Sequence, residues 1–83
     1  MTLNELHVGQ SATIVEVAGN DGISIRLMEM GLTDGEEITL LGFAPLGDPI
    51  EFQIRGYRLS IRTAEAKRVT VTVADTLSAE RQS

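Results

Sequence analysis

The chain has 83 residues, 42% of them hydrophobic and only 4% aromatic, and seven basic against twelve acidic side chains leave a net charge of −5. That length makes one domain, near the lower limit for unaided folding, and the absence of cysteine removes disulfides and thiolate metal clusters. The acidic balance, with no basic run interleaved with aromatics, opposes binding to a phosphate backbone. No apolar stretch approaches the ~20 residues a membrane helix needs. The N-terminus shows no charged leader followed by an apolar run, so a cytoplasmic location is expected.

Met1 to Gly9 places Leu3, Leu6 and Val8 before a glycine break, a short lead-in or a single helical turn. Ser11 to Ala18 is β-branched and apolar and reads as a strand. Its apolar positions Ala12, Ile14, Val15 and Val17 break strict alternation, which calls for a bulge or for burial on both faces. Gly19-Asn20-Asp21-Gly22 is turn chemistry, and Asn20 or Asp21 can cap the next element. Ile23, Leu27 and Met30 then fall at i, i+4 and i+7, one face of a short helix. Gly31 suits the left-handed position after its end, with Leu32 folding back towards Leu27.

Thr33-Asp34-Gly35 is a turn, and Glu36 to Phe43 is a strand with Ile38 and Leu40 on one face and Leu41 and Phe43 on the other. Pro49 to Arg55 alternates cleanly, with Ile50, Phe52 and Ile54 inward. After a reversal at Gly56, Tyr57, Leu59 and Ile61 point inward from a second strand, so the two runs form a hairpin. Thr63 to Lys67 makes one helical turn, and Arg68 to Val73 closes with Val69, Val71 and Val73 inward. Five short strands with one inserted helix predict a mostly β SH3-like barrel over residues 1–75, because closure removes exposed sheet edges. An OB-fold is the alternative. Residues 76–83 are polar and unpatterned and are expected to form a disordered tail.

Catalytic chemistry has no candidate. There is no cysteine nucleophile, no Gly-x-Ser-x-Gly elbow and no Walker lysine, and Ser11, Ser24 and Ser60 have no local base. Glu36 and Glu37 are neighbours on a strand and face opposite ways, so they are no acid/base pair. His7 is the lone histidine and a weak metal candidate, because transition-metal sites gather three or four ligands.

Two segments stand above this background. In Arg26-Leu27-Met28-Glu29-Met30-Gly31-Leu32, Met28 lies off the apolar stripe, and a flexible thioether suits an adaptable binding surface. In Ala44-Pro45-Leu46-Gly47-Asp48-Pro49, two prolines bracket a glycine turn and stiffen it. A stiff loop loses little entropy on binding and so serves recognition. Asp48 can accept local amide bonds there. The expected partner surface is therefore Met28 and Leu32 together with Pro45, Leu46, Gly47, Asp48 and Pro49.

These two segments, with Gly35, Gly56-Tyr57-Arg58-Leu59-Ser60-Ile61-Arg62 and Glu65-Ala66 in order, resemble the FeoA family of bacterial ferrous iron transport. The resemblance covers about residues 3 to 73, and its structural positions are Leu27, Met30, Gly31, Gly35, Gly56, Tyr57 and Arg62. It implies an SH3-like barrel, no enzymatic activity, and partnership with the cytoplasmic GTPase part of a FeoB-type membrane iron transporter. That would bring the chain to the inner membrane peripherally. The same domain occurs at the C-terminus of metal-dependent repressors. A second reading is accordingly a metal-responsive sensor, in which a homo-oligomer completes a site around His7 with nearby carboxylates for Fe2+ or Zn2+.

Overall fold

A computed structural model describes residues 1–73; the expected boundary at residue 75 and the tail at 76–83 lie outside the described residues. A 3-10 turn at Leu3–Glu5 leads into β1 (Ser11–Val17), α1 (Gly22–Glu29), β2 (Glu37–Phe43), β3 (Ile50–Ile54), β4 (Tyr57–Ile61), the single-turn helix α2 (Thr63–Ala66) and β5 (Val69–Val73). These five strands form one antiparallel sheet in the order β4-β3-β2-β1-β5. β5 returns from the hairpin to pair with β1, the connectivity expected of the SH3-like barrel. The core is aliphatic around one aromatic: Phe52 is buried in one cluster with residues that include Leu3, Ile14, Leu27, Leu40, Ile54 and Val71.

Two bulges explain why the apolar pattern is not strictly alternating. Between Ile14 and Glu16 the register with β5 shifts, so Val15 is extruded to solvent and Val17 returns to the core face opposite Val69. Between Leu40 and Gly42 the register with β3 shifts as well. Leu41 is the extra residue, and Phe43 is thereby paired with the buried Ile50. The expectation that Phe43 shares the face of Leu41, opposite Ile38 and Leu40, is corrected: the bulge resets the two-residue period and puts Phe43 on the face of Ile50, exposed because it sits at the strand's end.

The β3–β4 hairpin turns on Arg55 and Gly56, both at positive φ (53° and 86°), the geometry that matches the twist of tight hairpins. It places Tyr57 opposite Ile54. Tyr57 is not core, as its alternation suggested: it is 47% exposed, because the turn carries it past the barrel rim. In α1 the buried positions are Ser24 and Leu27, whereas Ile23 is exposed. The buried face of α1 runs through Ser24 and Leu27, three residues apart, so Ser24 takes the inward place that the four-residue spacing gave to Ile23. Ser24 is accommodated there because its hydroxyl donates to the Asp21 carbonyl at 2.9 Å.

Candidate functional site

The helix end explains the Met30-Gly31-Leu32 motif. Leu32 N–H donates to Leu27 O at 3.1 Å and Gly31 N–H to Met28 O at 3.0 Å, the two bonds of a Schellman cap. Gly31 sits at φ 110°, and a Cβ there would lie 2.8 Å from the Tyr57 hydroxyl. That hydroxyl donates to the Met30 carbonyl at 2.9 Å, satisfying a helix-end acceptor that the helix itself leaves free. Glycine at residue 31 is thus favoured twice, by its backbone angle and because a Cβ there would push the Tyr57 hydroxyl away from the Met30 carbonyl. Gly35 (φ 91°) closes the next turn, its N–H donating to Ile14 O at 2.8 Å.

Leu32 is fully buried in the core, so it is withdrawn from the expected partner surface: the cap that returns the chain to Leu27 also drives its side chain inward. Met28 is 41% exposed. On a helix it lies about 200° around from Arg26, away from the edge that meets α2 and the Pro45–Pro49 loop. The surface expected to join Met28 to that loop is therefore divided, and the helix edge facing the loop consists of Arg26 and Met30.

The Pro45–Pro49 loop is exposed and yet tied down. Ala44 N–H donates to Pro49 O at 3.0 Å and Gly47 N–H to Ala44 O at 2.7 Å. The Asp48–Pro49 peptide is cis. Leu46 stands at the tip, 96% exposed. Asp48, expected to accept local amide bonds, instead reaches across the sequence. Its carboxylate accepts from the Thr63 backbone N–H at 2.7 Å and the Thr63 hydroxyl at 2.9 Å, and lies 3.5 Å from Arg62. These bonds, led by the Thr63 N–H, hold the Asp48 carboxyl below its usual range. The carboxylate thus caps α2 from outside its own segment, and the sequence neighbours of Asp48 give no sign of it.

Between the loop, α1, β4 and α2 runs an open groove of ≈ 450 Å³ lined by Arg26, Met30, Pro49, Ser60, Arg62 and Glu65. Arg26 and Glu65 pair across it. At the other end of α1, Asp21 caps the helix through Ser24 N–H at 3.2 Å and pairs with Arg68 at 2.7 Å. The Arg68 hydrogen bond, then that cap, lowers the Asp21 carboxyl to about 2, and the same contact raises Arg68. Each of these charges is held by a structural bond. His7 is exposed, and the carboxylate of the nearby Glu5 accepts the Thr2 backbone N–H at 2.8 Å. Among the described residues no three His, Cys, Asp or Glu side chains gather as a metal set.

Thr63 and Phe43 are surface residues that sequence reasoning misses. Thr63 shows only after folding, when Asp48 meets it; the stranded Phe43 beside the loop could have been read from a bulge in β2.

The FeoA domain family model matches residues 1–73. A curated relative from Porphyromonas gingivalis, an Fe(2+) transport protein A/Fe(2+) transporter FeoB fusion protein, is 41% identical over 71 residues. That match takes in 86% of this chain and 8% of the relative's length. The solution structure of FeoA from Chlorobium tepidum superposes with a TM-score of 0.82 at 42% identity, covering 89% of this chain and 70% of that one. The crystal structure of Stenotrophomonas maltophilia FeoA complexed with zinc, an SH3 domain protein, superposes with a TM-score of 0.75 at 40% identity, covering 86% and 88%. With its family match running the length of the described barrel, the chain belongs to the FeoA-domain family.

Proposed function

We propose that this chain is a non-enzymatic accessory protein of ferrous iron uptake, docking on the cytoplasmic part of a FeoB-type GTP-dependent iron transporter and thereby peripheral to the inner membrane. One observation carries the reading: a relative joins an FeoA-like segment to an Fe(2+) transporter in a single polypeptide. Fusion holds two modules at high effective concentration, which serves modules that work in contact. The geometry supports docking rather than chemistry. Titratable groups with displaced pKa values, Asp21, Asp48 and Arg68, are displaced by exposed structural bonds and not by burial in a cleft.

The docking edge is the loop with Leu46 at its tip and Phe43 at its base, both exposed and apolar on a backbone already fixed by Asp48 and Thr63. A preformed edge keeps the ordering cost of binding low. The test is a titration of the transporter's cytoplasmic part, with and without guanine nucleotide and Fe(II). Leu46→Asp is expected to leave stability within about 0.5 kcal/mol of wild type, as surface changes do, while weakening binding at least tenfold. Absence of wild-type binding under every condition overturns the reading; unchanged binding by the variant returns the loop to a mere connector.

A further inference from the structure

Among the described residues β4 is the free edge of the sheet on the hairpin side, since its strand partner there is β3 alone. The two-residue turn makes Ile54 and Tyr57 a hydrogen-bonded pair, and antiparallel alternation then assigns Leu59 and Ile61 the same role. The backbone N–H and C=O groups of Arg58 and Ser60 consequently point away from β3. Beyond them the edge ends, because the Arg62 carbonyl already accepts from Glu65 and Ala66 N–H in α2. The groove beside this edge has an apolar floor in Met30 and Pro49 and is open to solvent.

Arg58, Ser60 and Arg62 share one face, with a guanidinium on each side of the serine. Both are held loosely. Arg58 lies 4.0 Å from Glu51, and Arg62 lies 3.5 Å from Asp48, a carboxylate whose shorter bonds go to Thr63. By contrast Arg68 sits 2.7 Å from Asp21. A second copy of this chain is a poor occupant: antiparallel pairing about Ser60 sets each Arg58 opposite an arginine of the other copy, and directly opposed like charges destabilise a sheet.

We infer that the β4 edge receives an extended acidic segment of a partner protein as a sixth strand, its backbone pairing with Arg58 and Ser60 and two carboxylates four residues apart facing Arg58 and Arg62. Main-chain bonds give such an interaction its affinity, and the side chains on the shared face give its selectivity. This surface is separate from the Leu46 tip, and no transporter is needed to test it.

The probe is acetyl-Glu-Val-Thr-Val-Glu-amide titrated into the ¹⁵N-labelled full chain, with the counterpart carrying lysine for glutamate as the control. The expected result is movement and slowed hydrogen exchange of the Arg58 and Ser60 amides, weakened by salt and absent with the lysine peptide. Arg58→Glu with Arg62→Glu should weaken binding at least tenfold. N-methylation of the peptide's threonine amide, which leaves the protein untouched, should abolish it by removing the bond to the Ser60 carbonyl. No binding, equal binding of the lysine peptide, indifference to N-methylation, or shifts confined to residues 43–49 would each overturn the proposal.

Discussion

Two corners of the barrel each hold a surface segment in place through a hydrogen bond made by one side chain that arrives from a distant part of the sequence, and they differ in how closely that side chain is fitted. At the end of α1, Tyr57 closes over Gly31, and the fit is steric: no Cβ can be placed without meeting the hydroxyl. At the Pro45–Pro49 loop, Asp48 reaches Thr63 through polar bonds in the open, and a Cβ at Gly47 would meet nothing within 4 Å among the described residues. The first corner closes the end of a helix whose Leu27 and following Leu32 are buried, and serves stability. The second adds little burial and serves position, keeping an exposed apolar tip at a fixed place on the surface. An exposed segment can therefore be ordered without being buried, provided that its polar ties are short and its backbone is stiff.

The contrast can be broken most forcefully at Gly31. Gly31→Ala is expected to cost ~1–2 kcal/mol from the left-handed backbone alone, with a further loss from the displaced tyrosine, read as a lower denaturant midpoint. Repeating the change in a Tyr57→Phe background, which removes the hydroxyl, should cost distinctly less. Strict additivity would show that the close approach is of no consequence.

At the second corner, Thr63→Val removes the hydroxyl donor but keeps the shape. The denaturant midpoint should scarcely move, while the Ala44 and Gly47 amides exchange faster and any docking through Leu46 slows. A large loss of stability with unaltered exchange would place this corner in the same class as the first.

The smallest effect concerns acid. The folded-state Asp21 carboxyl, at about 2, lies below its ordinary 3.8. Its contribution to stability is therefore complete above roughly pH 4 and is lost as pH falls through about 2. Asp48, also lowered, works in the same direction. A carboxyl-carbon NMR titration should find the Asp21 midpoint near 2, and Asp21→Asn should flatten the acid limb of the stability curve. A midpoint at the ordinary value would show the Arg68 pairing to be absent in solution.

Local period and turn chemistry were sufficient to read the five strands, the longer helix, the Gly31 cap and the reversal at Gly56, though not the left-handed Arg55 before it. Each rests on neighbours in sequence: two-residue alternation, a helical stripe, a glycine where φ must be positive. Leu32 shows where that reading fails, because the same cap that marks the helix end also dictates that the next side chain turns inward. Ile23 fails for a related reason: it lies four residues before Leu27 and Ser24 three, both spacings put a side chain on the same helix face, and it is Ser24 that is buried. Phe43 was misplaced because one extruded residue, Leu41, inverts every assignment after it.

By itself, then, the sequence determined the class of fold, the family pattern and the stiffness of the Pro45–Pro49 loop, all of which derive from local rules of backbone geometry. Only the tertiary structure decided what holds that loop, where the free sheet edge lies, and which helix face looks onto the groove. Those depend on contacts such as Asp48 with Thr63, Tyr57 with Met30 and Arg26 with Glu65, between residues 15 to 39 positions apart, which no local period encodes.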